Sequence, residues 1–181
     1  IDNKENILGF EPSNNVAEIA KNNQIPIVNE FFNTENVSKL TEFLGNTDLV
    51  CASNAICHVP DLNNLIESID LLLSKSGTFV FEEPYLGSMF NRVSYDQIYD
   101  EHIFIFSATA IKNIFMRYNF DLIDAIPQAT HGGSMRYIIK RKNILSQSQN
   151  LINILNDEKK IKLDKIDSCL DFKKNCLISK E

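Results

Sequence analysis

Apolar and polar positions along the chain follow two rhythms. From residue 7 to about 83, short apolar runs of strand character alternate with stretches whose apolar residues recur three and four positions apart. ILGFEP, residues 7–12, reads as a strand ending at Glu11 and Pro12. Residues 13–23 read as a helix capped by Ser13 or Asn14, with Val16, Ile19 and Ala20 on one face. IPIV, 25–28, is a second strand, and 34–46 a second helix with Thr34 as its cap and Gly45 at its end. Residues 47–56 form a third strand, 60–77 a third helix and 78–84 a fourth strand. Such alternation is the signature of a parallel sheet covered by helices on both faces.

After Pro84 the rhythm breaks. Residues 85–106 are aromatic and polar without a period, and 107–119 resume as a helix capped by Ser107. FDLIDAIPQ, 120–128, and SMRYIIKR, 134–141, are two more strands joined through ATHGG. From Asn143 onward the chain is helical and charged, with apolar positions in 144–157 and 165–180 that have no evident partner. The pattern divides the chain into an α/β domain over 1–142 and a helical segment over 143–181.

Composition narrows the function. The 181 residues carry a formal net charge of -6, which argues against nucleic acid as a partner, since phosphate backbones are met by clustered basic surface. No apolar run approaches the roughly 20 residues of a membrane helix, and the first ten residues lack the pattern of a signal peptide, so a cytoplasmic setting is expected. Cys51, Cys57, Cys169 and Cys176 form no C-x-x-C pair and read as small hydrophobes in a reducing compartment.

Four stretches could carry chemistry. Glu11 stands at the carboxyl end of a strand, where open parallel sheets bind ligands; it is either a ribose acceptor or a solvated surface acid. YDQIYDEHIFIFS, 95–107, gathers Tyr95, Asp96, Tyr99, Asp100, Glu101 and His102 ahead of Ile103, Phe104, Ile105 and Phe106. A histidine beside a carboxylate can take and return a proton near neutral pH, and a tyrosine hydroxyl can stabilise an enolate. The same residues also suit a polar cluster at the edge of a core, and spacing leaves the two readings even. In THGGSMR, 130–136, the two glycines allow a close approach of backbone and Arg136 could clamp a phosphate; a plain tight turn is the other reading. His58, His102 and His131, the three histidines of the chain, all fall in loops at such strand ends. Their spacing contains no H-x-x-x-H or H-x-H, so no metal site is expected.

Taken together, LGFEPSNNVAEIAKNNQIPIVNEFF, DLVCASNAICHVPDLNNLIESIDLLLSKSGTFVFEEPYL, YDQIYDEHIFIFS and THGGSMRYI resemble the class I S-adenosylmethionine-dependent sugar C-methyltransferases, which act on nucleotide-linked keto-deoxysugars. The resemblance runs from about Ile7 to Lys140 and rests on E-P-S, H-V-P-D, Y-D-x-I-Y-x-E-H and H-G-G-S in this order. It implies a Rossmann-like sheet and S-adenosyl-L-methionine as cofactor. Glu11 would hold the ribose, with Glu30, Phe31 and Asn54 also on the cofactor. His58, Tyr99, Glu101 and His102 would surround the sugar, His102 as base, and His131, Gly132, Ser134 and Arg136 would contact substrate. The Ile-Phe run would keep the site dry.

The chain departs from that family in having no G-x-G loop. It opens on what would be the family's second strand, so the sheet is expected to be incomplete at its amino-terminal strand and the chain to be a fragment. In the family the first strand is central, so the chain should be unstable alone or close the gap by shifting strands. Zinc would belong only to an amino-terminal region not present here. A non-catalytic module binding a nucleotide-sugar or a partner is the alternative, and the oligomeric state is not legible.

Overall fold

The computed structural model describes residues 6–180. Six strands and seven α-helices follow in chain order. The first half comprises β1 (Gly9–Phe10), α1 (Asn14–Asn22), β2 (Ile27–Val28), α2 (Thr34–Val37), β3 (Thr47–Ser53), α3 (Leu62–Leu72) and β4 (Leu73–Pro84). The second half comprises α4 (Leu86–Arg92), α5 (Ala108–Met116), β5 (Phe120–Gln128), β6 (Ser134–Arg141), α6 (Gln149–Lys160) and α7 (Ile166–Ser179). Short 3-10 turns cover Ile56–His58, Tyr95–Gln97 and Thr130–Gly132.

The strands form two sheets. β1 pairs in parallel with β2 alone, and the larger sheet runs β3-β4-β6-β5. Only β3 and β4 are parallel there, because β6 lies antiparallel to both of its neighbours. The parallel pairing expected over 7–84 holds for β1-β2 and β3-β4, and the sheet becomes mixed where β6 joins it. The reason is the short ATHGG connection, which can return the chain only as an antiparallel neighbour. Among the described residues β1 and β2 pair only with each other, and no strand joins them to β3.

The core lies on one face of the larger sheet. Along β4, Phe79, Phe81 and Glu83 are buried while Thr78, Val80 and Glu82 stay partly exposed, the alternation of a sheet with one covered face. Phe81 stacks on Phe79 and on Tyr137, while Phe115 meets Phe79 at a tilt and Phe120 edge-on. Leu65, Ile66 and Ile69 of α3, Ile111 of α5 and Leu151 of α6 complete the same cluster. The expectation of helices burying both faces is corrected by Leu49 of β3, 56% exposed on the other side.

Local chemistry sets the boundaries. Asn33, not Thr34, caps α2 by accepting from the Asn36 amide at 2.8 Å, and the helix ends at Val37 instead of near 46. Ser107 caps α5 as its position predicts, at 3.1 Å from the Ala110 amide. Arg141 of β6 closes α3, donating to the carbonyls of Asp70 (3.0 Å) and Leu73 (2.8 Å) and pairing with the Asp70 carboxylate. The segment without period, 85–106, contains α4 and an isolated parallel bridge between Tyr85 and Phe106.

The charged tail finds its partners. α6 packs on β5 and α5, and Glu158 on its inner face is buried. That carboxylate accepts from the Ala108 amide (2.6 Å), the Thr109 amide (2.8 Å), Thr109 Oγ1 (2.5 Å) and Tyr85 Oη (2.9 Å). It thus satisfies the orphan donors at the start of α5. Phe172 of α7 stacks on Phe90 of α4 at 4.5 Å. Among the described residues no helix is long and apolar enough to cross a membrane.

Candidate active site

The ends of β3 and β4 bring the first groups together. Asn54 follows β3 in the left-handed region, φ 48°, and turns the chain into the Ile56–His58 turn. Glu83, near the end of β4, holds that turn in place: its Oε1 accepts from the amides of Ala55 (3.0 Å) and Ile56 (2.7 Å). A buried carboxylate bound to two backbone amides fixes a loop better than packing alone, because each bond to a charged acceptor is strong.

The turn in turn anchors the YDQIYDEH segment. The Cys57 carbonyl accepts from the amides of Ile103 (3.0 Å) and Phe104 (3.2 Å), and His58 Nδ1 donates to the Glu101 carbonyl at 2.6 Å. His102 Nδ1 donates to the Gln97 carbonyl at 2.9 Å. A carbonyl can only accept, so both imidazoles carry the proton on Nδ1 and keep the lone pair of Nε2 for other work. Tyr99 Oη lies 2.8 Å from His102 Nε2, and the two rings are 4.1 Å apart. The His58 and His102 rings are 5.1 Å apart. His58, Tyr99 and His102, predicted from three separate motif positions, therefore form one cluster. The Glu101 side chain is exposed, and this residue contributes its carbonyl to His58.

The cluster is open. Tyr99 is 47% exposed and Ile103 49%, while Phe104 and Ile105 are half-buried and Phe106 alone of the run is fully buried. The expectation that this run seals the site is corrected: an extended segment sends alternate residues to opposite sides, so Ile103 faces outward while Phe106 enters the core.

The THGGS motif makes a second group. Asn54 Nδ2 lies 3.2 Å from His131 Nε2, joining a predicted cofactor residue to a predicted substrate residue. His131 has φ 49° and Gly132 φ 72°, and at Gly133, φ 122°, a Cβ would meet Ser88 at 2.6 Å. The glycines serve a positive-φ turn packed against α4. Ser134 is buried and bonds the Thr130 carbonyl at 3.2 Å. Arg136 is bound by Glu82, its cross-strand partner, at 2.9 Å, and Glu82 also accepts from Thr130 Oγ1 at 2.9 Å. A narrow crevice lined by Tyr85, Gln97, Ile105, His131 and Gly132 is shared by both motifs.

Glu11, Glu30 and Phe31 sit on the separate β1-β2 unit. Glu11 follows β1, and its Oε1 accepts from the Ser13 amide at 2.7 Å. Glu30 is exposed and Phe31 is 69% exposed just beyond β2. A carboxylate and an uncovered aromatic ring thus stand at the carboxyl ends of β1 and β2, and the Asn54 amide at that of β3, groups of the kinds that could meet a ribose and a purine.

Three groups were not legible in the sequence. Cys57, Glu83 and Glu158 are buried, and their partners come from distant segments. Burial and the adjacent Glu83 carboxylate push the Cys57 thiol well above its ordinary pKa. Cys57, His58 and His102 place one donor atom each within 4.8 Å of one another, a convergence from two loops that no sequence spacing records.

The pattern of the methyltransferase domain matches residues 3–125 of the chain. The chain belongs to the methyltransferase-domain family. It is 26% identical over 129 residues to the C-methyltransferase NovU of Streptomyces niveus, an alignment covering 71% of this chain and 31% of that protein. The chain thus spans about a third of the length of that relative. Among solved structures it is similar to a SAM-dependent methyltransferase from Anabaena variabilis (TM-score 0.55, 18% identity, 75% of this chain and 68% of that one). It is also similar to a Burkholderia thailandensis N1-methyltransferase solved with 1,6-didemethyltoxoflavin and S-adenosylhomocysteine (TM-score 0.53, 13% identity, 76% and 62%). At these identities the likeness is one of fold: the α/β architecture of class I S-adenosylmethionine-dependent methyltransferases.

Proposed function

We propose that the chain is part of an S-adenosylmethionine-dependent C-methyltransferase that acts on a nucleotide-linked keto-deoxysugar. The observation that carries this reading is the hydrogen bond between Tyr99 Oη and His102 Nε2, with Nδ1 of the same ring fixed by the Gln97 carbonyl. The likeness to the C-methyltransferase NovU supports transfer to carbon, and the order of the four sequence motifs supports the substrate class.

In this reading S-adenosylmethionine, held by Glu11 at its ribose and flanked by Glu30, Phe31 and Asn54, supplies the methyl group. The chain's own work is proton transfer. His102 Nε2 takes the proton from the carbon next to the ketone, and the imidazolium so formed is stabilised by the Gln97 carbonyl on Nδ1. Tyr99, released from Nε2 as the substrate enters, donates its hydroxyl to the developing oxyanion. His58, held by the Glu101 carbonyl, presents its Nε2 to the same space. His131 and Gly132 would meet the substrate, while Ser134 and the Glu82–Arg136 pair keep their turn in place.

His102→Gln keeps the ring's approximate bulk and removes the base. Methyl transfer from labelled S-adenosylmethionine is expected to fall at least about a hundredfold, with S-adenosylhomocysteine affinity within about twofold of the parent. Unchanged turnover would exclude His102 as the base.

A further inference from the structure

We propose that Cys57, His58 and His102 form a binding site for a thiophilic divalent cation of the zinc class, and that its occupation withdraws His102 from proton transfer. The first half stands without the functional reading above; the second rests on it.

The donors are the right kind and already close. Sulfur and imidazole nitrogen are the ligands zinc selects, and a donor atom of each residue lies within 4.8 Å of the other two. With metal–ligand bonds of about 2.0–2.3 Å, tetrahedral donors stand about 3.3–3.6 Å apart, so the three side chains close the site by drawing together. Cys57 and His58 are held by the Ile56–His58 turn, and His102 is tied to the same turn through the Cys57 and Glu101 carbonyls. The cluster is therefore fixed by backbone on both sides.

Two further observations point to a cation. Each imidazole already donates Nδ1–H to a backbone carbonyl, His58 to Glu101 and His102 to Gln97. That outer contact is what orients and enriches a metal-binding histidine, and it leaves Nε2 of both rings as the donor. Beside Cys57, Glu83 is fully buried and its Oε2 has no hydrogen-bond partner among the described residues. A buried carboxylate with one oxygen unsatisfied is costly, and a nearby positive ion would offset that cost.

Binding replaces the Cys57 S–H bond by a sulfur–metal bond and releases one proton to solvent, with no change of oxidation state. Uptake is therefore accompanied by acidification. At His102 the cation takes the lone pair that Tyr99 now engages, so metal binding and proton abstraction exclude one another. A ring of three protein ligands leaves a fourth position toward the open side of the cluster.

Cobalt(II) titrated into the reduced full chain and followed by absorption tests the site without reference to turnover. One equivalent is expected to raise a thiolate-to-cobalt charge-transfer band and the strong visible bands of tetrahedral cobalt, both bleached by zinc. Cys57→Ser should abolish the charge-transfer band and His58→Ala weaken binding at least about tenfold. Cys169→Ser, which removes an exposed thiol, should change neither. No band in the parent chain, or a band that survives Cys57→Ser in a protein of unchanged circular dichroism, overturns the site. Should Cys57→Ser fail to fold, unchanged cobalt affinity in His58→Ala overturns it alone. Zinc is expected to inhibit methyl transfer reversibly by chelator; a demonstrated cobalt site with zinc-insensitive transfer would overturn the coupling to His102 and leave the site standing.

Discussion

His102 illustrates what single residues contribute. Its ring is fixed by two contacts on opposite nitrogens, so a proton can be taken up at Nε2 without losing the bond at Nδ1. Tyr99, His102 and His58 were singled out through the resemblance, while spacing alone left a polar cluster at the edge of the core an equal reading. Cys57 was not legible as more than a small hydrophobe, since a lone cysteine between Ile56 and His58 forms no C-x-x-C pair. Glu83 in FEEP reads as a strand-end acid, and its partners, the Ala55 and Ile56 amides, lie 28 and 27 residues away. The environment of Cys57 makes a prediction. At mildly alkaline pH, iodoacetamide should modify exposed Cys169 readily and leave Cys57 unmodified in the native protein, because the buried thiol remains protonated and covered. Peptide mapping by mass spectrometry gives the order, and early labelling at Cys57 would contradict this placement.

Elements were read well where one period dominated and poorly where side chains from elsewhere decide. β5, β6 and α5 fall close to their expected bounds, since alternation or a cap marks each end. α2 stops at Val37 because residues beyond it turn to join β3, which no local period announces. α6 was seen as a helix without a partner, yet Glu158 lies seven residues after buried Leu151, on the same face. That spacing was the available signal, masked by the rule that acids in charged helices face water. Glu158→Ala should lower stability by about 3 kcal/mol, because the Ala108 and Thr109 amides and Tyr85 Oη lose a charged acceptor. Glu158→Gln, which keeps one acceptor oxygen, should cost about half as much; equal stability of Glu158→Ala in urea melts would refute the role. Tyr137 offers the opposite case. Its hydroxyl is buried without a partner among the described residues while its ring stacks on Phe81 at 4.9 Å, so Tyr137→Phe should raise stability by about 1 kcal/mol. Burial lifts the Tyr137 phenol, and burial with the Glu158 charge lifts that of Tyr85, above the ordinary value. The unfolded chain then loses these protons first, so stability holds below about pH 10 and falls as pH climbs beyond it. Tyr137→Phe should flatten that alkaline decline.

At the scale of the whole molecule, the α/β class was legible because strand and helix alternate in sequence, but the division into two sheets was not. Pairing is decided between segments, and the two-residue β1 and β2 carry too little pattern to show which edge they join. The same division separates the candidate site. Glu11, Glu30 and Phe31 stand on the small sheet, while the proton-transfer cluster stands on the large one, at the ends of β3 and β4. The chemistry assigned to the larger sheet can be measured independently of the cofactor. A nucleoside diphosphate keto-deoxysugar incubated with the protein in heavy water, with no S-adenosylmethionine present, should exchange the hydrogen next to its ketone for deuterium, as followed by proton NMR. The account predicts enzyme-dependent exchange that His102→Gln slows at least about a hundredfold. Exchange at the parental rate in His102→Gln would contradict it.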